Sequence, residues 1–134
     1  MKAKIVRDSE GLFYGIRFMC PGCLWPDTGK PQAVILPVSW LPPGETKESP
    51  HVANQPHWSF NGDFEKPVFG PSVLGEWNEW TGARVSTTKG DGPTKRCCHS
   101  FIGCNGAQPG QIKFLADSTH ALAGQTVDLP EIEP

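Results

Sequence analysis

The chain has 134 residues, enough for one domain with a modest core. Fifteen glycines and fourteen prolines are nearly twice the ordinary share of ~12%, which excludes a helical bundle or coiled coil and favours short strands joined by turns. A net charge of −2 gives no electrostatic pull toward nucleic acid or an anionic membrane, and 37% apolar with only 19% charged residues argues against wholesale disorder.

The start, Met1-Lys2-Ala3-Lys4, is basic, but no apolar h-region follows it, so no secretory signal is expected. Lys4 to Arg7 and Leu12 to Phe18 read as two strands around the turn Asp8-Ser9-Glu10-Gly11. Cys20-Pro21-Gly22-Cys23 makes a tight knuckle after the second strand. Ala33 to Leu36 is a short buried strand, and this longest aliphatic run is far too short to cross a bilayer. Residues 41–56 hold Pro42, Pro43, Gly44, Pro50 and Pro56 with few aliphatics, the pattern of an exposed loop. Trp58-Ser59-Phe60 alternates and stops at the turn pair Asn61-Gly62. Val68 to Leu74 is another strand, broken at Pro71 by an edge or a bulge. Ala83 to Thr87 reads as a strand, and Cys97 to Ile102 with Gln111 to Leu115 as a hairpin. Ser118 to Ala123 suits one helical turn, capped by Ser118 and stopped by Gly124. Val127 and Leu129 close the fold, and Glu131 to Pro134 should fray. The expectation is a single, mostly β domain over residues 1–134, of about eight or nine short antiparallel strands.

Five cysteines cannot all pair within one chain. In a cytoplasmic chain, thiols stay reduced and clustered ones are metal ligands more often than disulfides. The Cys20/Cys23 knuckle aims two thiolates at one point, and a four-coordinate site needs two further soft or borderline ligands. Cys97, Cys98, His99, Cys104 and His120 are the candidates. Neighbours on a strand face opposite ways, so Cys98 and His99 do not readily reach one metal. The set Cys20, Cys23, Cys98 and His120 gives the composition of a structural zinc site, stapling the knuckle to the C-terminal half. A reduced core pair or a redox pair is the competing reading of the knuckle. Neither His-Glu-x-x-His nor the His-x-Glu of zinc deaminases occurs.

Several blocks occur in a fixed order: His57-Trp58-Ser59-Phe60-Asn61-Gly62-Asp63, then Lys66 to Leu74, Cys98-His99-Ser100-Phe101-Ile102, and Ile112 to Pro130. With the knuckle, they make the chain resemble a BubE-like family of small tailed-phage and bacterial zinc proteins, many carrying the misleading name "ammonia monooxygenase". The resemblance covers the chain outside residues 24–56 and 75–95, and the last block is its most specific part. It departs at Ser118, where many members have Cys, at Gly70, where Ser or Thr is common, and in a longer loop around Cys104. The family is tied to bacterial ubiquitin-like conjugation operons. The resemblance therefore implies a peptidase that processes or deconjugates a ubiquitin-like protein in the bacterial host cytoplasm.

A peptidase requires a nucleophile, a base and a group that orients the base. With Cys98 turned to the metal, His99 points to the opposite face. Ser72 follows Pro71 at a strand break, where a hydroxyl can be held exposed, and Asp117 can accept the Nδ1 hydrogen of His99. Ser72, His99 and Asp117 form the expected triad, with Asn61 as an oxyanion donor. The segment Gly70-Pro71-Ser72-Val73-Leu74 is not the Gly-x-Ser-x-Gly elbow, so resemblance and strand parity carry this assignment. In the competing readings Ser72 bonds the backbone at a bend, His99 is the fourth ligand, Asp117 caps a turn and Asn61-Gly62 is only a turn. Two other classes stay open: a non-enzymatic phage or host-protein-binding zinc module, and a zinc-dependent hydrolase with an open metal position.

Overall fold

The fold was taken from a computed structural model, which describes residues 1–25, 27–79 and 94–132. Among these residues there is no helix, and the chain is two antiparallel sheets on one core. The first sheet holds β1 (Lys4–Arg7), β2 (Phe13–Leu24) and β3 (Pro31–Leu36) in that order. The second holds β4 (Ser59–Phe60), β5 (Phe69–Glu79), β6 (Thr94–Ile102), β7 (Gln111–Phe114) and β8 (Thr126–Asp128), again in chain order. The strand expected at Ala83 to Thr87 lies outside the described residues.

Period-two alternation builds the core. Ile16, Phe18 and Cys20 of β2, Phe69 and Val73 of β5, Cys98 and Ile102 of β6, and Ile112 and Phe114 of β7 are all buried in one cluster. Phe18 and Phe69 join the two sheets, with ring centroids 5.8 Å apart. On β6 the alternation is strict: Cys98, Ser100 and Ile102 are buried, while Cys97, His99 and Phe101 lie on the half-exposed face.

Two irregularities set up the site. The knuckle is a wide bulge inside β2, which continues to Leu24: Cys20 pairs with Gln32 and Leu24 with Pro31, so residues 21–23 loop out between adjacent partners. The break at Pro71 is likewise a bulge. Phe69 pairs with Ile102 and Val73 with Ser100, leaving Gly70, Pro71 and Ser72 opposite Phe101 alone. The Gly70–Pro71 bond is cis.

Other expectations need correction. The loop at 41–56 is not simply exposed: Ser49 and Val52 are fully buried, and Ser49 N–H donates to Phe13 O at 2.7 Å. A short polar side chain and one aliphatic peg suffice to anchor it. Ser118 to Ala123 forms hydrogen-bonded turns rather than a helix, with Ala123 N–H donating to His120 O and Gln125 N–H to Leu122 O. Residues 131 and 132 do not fray, because the Met1 amine donates to Glu131 at 2.7 Å and Ile132 N–H to Met1 O at 2.8 Å. β3 is exposed at Ala33 and Ile35, as suits the edge of a sheet.

Candidate metal centre and hydroxyl–imidazole–carboxylate array

Cys20, Cys23 and Cys98 bring three buried sulfurs within 4.8 Å of one another, an arrangement that could hold a metal ion. The bulge at 21–23 swings the two knuckle thiols together, and strand parity delivers Cys98 from the other sheet. The Sγ atoms of Cys20 and Cys23 are 3.2 Å apart, and those of Cys20 and Cys98 3.7 Å apart. Sulfurs held at ~2.3 Å around a tetrahedral zinc sit roughly 3.8 Å apart, so the observed spacing is close to that of a ligand set. Hydrogen bonding with Cys23 and with Cys98 brings the Cys20 thiol down to about 3. The same sharing, with burial, pushes Cys23 up to about 12 and raises Cys98. Three sulfurs that share their protons at this spacing form a group in which a cation can take the protons' place.

His120 stands beside this cluster but its nitrogens are not part of the three-sulfur group. Its ring packs edge-on against Phe114 at 4.4 Å and lies over Gly22, where even a Cβ would collide with it. Its Nδ1 accepts from Leu122 N–H at 3.2 Å, which puts the ring hydrogen on Nε2. That Nε2 is buried without a hydrogen-bond partner. Burial lowers the His120 pKa, with the Cys20 charge opposing, so the ring is held neutral. A half-buried neutral imidazole with a buried, orphaned nitrogen beside three sulfurs fits a fourth ligand in chemistry. The Leu122 contact would have to break for Nε2 to ligate.

On the opposite face of β6, His99 lies between two expected partners. Ser72 Oγ is 3.0 Å from His99 Nε2, and Asp117 Oδ2 is 3.0 Å from His99 Nδ1. The bulge explains the first contact. His99 pairs with Leu74, and Ser72, two residues earlier on the same face, is drawn diagonally onto the ring. The second contact comes from residues 115–119, which run along β6 beyond the end of β7. Leu115 N–H donates to His99 O at 2.8 Å and Thr119 N–H to Cys97 O at 2.9 Å. Ser118 and Thr119 fasten the same stretch with their hydroxyls: Ser118 Oγ accepts from His99 N–H at 3.0 Å and donates to His99 O at 3.1 Å. Thr119 Oγ1 does the same for Cys97 at 2.9 and 3.2 Å.

Asn61 does not join the array. Its Nδ2 donates to Lys66 O at 3.0 Å, and its Oδ1 accepts from Asp63 N–H and Val68 N–H, both at 3.1 Å. The amide closes the 61–68 loop, so the expected oxyanion role is replaced by a loop-tying one. Two residues that sequence reasoning missed act on the array instead. Trp58 Nε1 donates to Ser72 O at 3.1 Å and fixes the bulge, where the sequence showed only an alternating residue before a turn. Ser118, expected as a helix cap, is 7% exposed and locks the His99 backbone. No periodic signal marks either residue; only the Ser-Thr pair after Asp117 hints that two hydroxyls face a strand edge. Ser118→Ala leaves the half-buried His99 N–H without its acceptor and is expected to lower unfolding free energy by about 1–3 kcal/mol, read by urea titration.

No family model, curated protein or solved structure matches the chain.

Proposed function

We propose that the protein is a zinc-stapled, serine-type peptidase. The observation that carries this reading is the position of His99, 3.0 Å from a hydroxyl on one side and 3.0 Å from a carboxylate on the other. In this reading Asp117 accepts the Nδ1 hydrogen, which leaves the Nε2 lone pair facing Ser72. As Ser72 Oγ attacks a peptide carbonyl, its proton passes to Nε2 and then to the departing amine as the C–N bond breaks. Water, activated by the same imidazole, hydrolyses the acyl-serine. A half-exposed base with an exposed carboxylate behind it leaves the face open to a substrate.

Zinc is the metal we assign to Cys20, Cys23 and Cys98, with His120 as the fourth ligand. Thiolates with one imidazole favour it, and the three sulfurs are buried. The metal's part would be to hold the knuckle to β6, so that Cys98 fixes the strand that presents His99. The resemblance to the BubE-like family extends the reading to a ubiquitin-like protein as substrate and to the cytoplasm of a bacterial host. None of the five cysteines is in a disulfide, which suits a reducing compartment.

A fluorophosphonate tests the nucleophile. Attack by Ser72 Oγ forms an O–P bond and expels fluoride, with the proton going to His99. One adduct per chain, mapped to Ser72 by mass spectrometry, is the expected result. A folded chain that takes no adduct after prolonged exposure contradicts the peptidase and favours a zinc module that only binds.

A further inference from the structure

Alternation along β2 puts Arg17 and Met19 on the face of the first sheet opposite the buried Ile16, Phe18 and Cys20. Ala33, directly across from Met19 on β3, shares that outer face. Residues 130–132 border it, and together they enclose a cleft of about 710 Å³. The Met1 amine donates to Glu131 Oε2 at 2.7 Å and Ile132 N–H donates to Met1 O at 2.8 Å, so this wall is fastened in place. The cleft shares no residue with the sulfur cluster or the Ser72–His99–Asp117 array.

Arg17 is the residue here that the fold does not account for. It stands on the middle strand, between Lys4 of β1 and Ile35 of β3. Its Nε is buried without a hydrogen-bond partner, and its guanidinium makes no hydrogen bond or ion pair with any described residue. Such an orphan in a folded chain calls for a reason. Like charges directly opposite on paired strands also repel, and Lys4 is its cross-strand neighbour. Glu131, the one carboxylate among the described residues of the cleft wall, is engaged by the Met1 amine instead. Lys30, exposed at the rim, adds further positive charge.

We propose that this cleft binds a small organic acid, with its carboxylate on the Arg17 guanidinium and its apolar body along Met19, Ala33, Pro130 and Ile132. A planar guanidinium meets a carboxylate with two parallel N–H···O bonds, and with Nε turned into the protein the two terminal nitrogens are the edge left for that fork. An anion there offsets both the orphaned cation and its repulsion by Lys4. The volume falls in the ~300–1,000 Å³ range of small-molecule sites. Apolar side chains predominate on the walls, which favours a monoanion with an apolar body. A phosphate would bring a second negative charge toward Glu131 and demand donors that one fork does not supply. Binding there requires neither zinc nor a nucleophilic Ser72.

Calorimetric titration of the full chain with octanoate, octan-1-ol and octyl phosphate tests this. Saturable octanoate binding is expected, with the neutral alcohol weaker by about tenfold or more, the scale of a lost charge-assisted contact. Arg17→Met should weaken octanoate by a similar factor while its thermal midpoint equals or exceeds that of the wild type, because the orphaned cation and its repulsion by Lys4 are gone. Arg17→Lys keeps the charge and loses the fork, and should also bind octanoate more weakly than the wild type. Absence of saturation at millimolar octanoate overturns the site. So does an alcohol that binds as well as the acid, or octanoate binding that neither substitution changes. Octyl phosphate binding about tenfold tighter than octanoate overturns the choice of a carboxylate and makes the cleft a phosphate site.

Discussion

On the proposed peptidase reading, Asp117→Asn is expected to lower kcat for peptide hydrolysis by about 10⁴-fold with little change in KM, the scale of loss when a triad carboxylate becomes an amide. The carboxylate is 59% exposed and sits in a turn whose backbone is held by Ser118 and Thr119 rather than by its own side chain. Substitution should therefore leave the fold intact. An amide can offer its nitrogen to His99 Nδ1 and select the wrong tautomer, with the hydrogen on Nε2 facing the Ser72 hydroxyl it should deprotonate. Steady-state kinetics with a peptide substrate read the effect. A fall below tenfold would make Asp117 a turn residue and leave His99 without an orienting partner.

The second large effect belongs to the other face of the same strand. Cys98→Ala removes one of three clustered sulfurs. If these sulfurs hold zinc, as proposed, the expected outcome is loss of the metal and of cooperative folding, since apparent binding energies of structural zinc reach ~10–16 kcal/mol and exceed the stability of most small domains. A Gly- and Pro-rich chain of 134 residues has little spare core with which to offset that loss. Thermal melts and metal analysis of the purified variant report both quantities. A variant that keeps its metal and its melting transition would show Cys98 to be an ordinary core thiol.

Strand parity was the most legible part of the site. The opposite directions of Cys98 and His99 follow from two adjacent positions on one strand, and the burial of the first with half-exposure of the second is the outcome. The knuckle was legible as a place where two thiols converge, but not as a bulge within a longer strand, because only the partner register of β3 reveals the extra residues. Ser72 could be read as standing at a break. Its contact with His99, however, depends on three residues of β5 facing one of β6, a count that a single strand does not contain. Asn61 misled because an Asn before Gly has two physical uses, and the loop it closes took all of its amide's described contacts. The buried Ser49 and Val52 were hidden by a loop composition that speaks of solvent. Trp58 acts through one hydrogen bond to backbone and Ser118 through two, and such contacts leave no periodic pattern in sequence.

The proposed function requires one division of labour on β6, with the sulfur of Cys98 toward the metal site and the ring of His99 toward the Ser72 hydroxyl. The most direct test is the zinc content of purified His99→Ala protein, with phosphonate uptake measured on the same sample. One zinc per chain, a cooperative melt and no Ser72 adduct are predicted. Loss of the metal in that variant would place the ring in the coordination sphere and contradict the account.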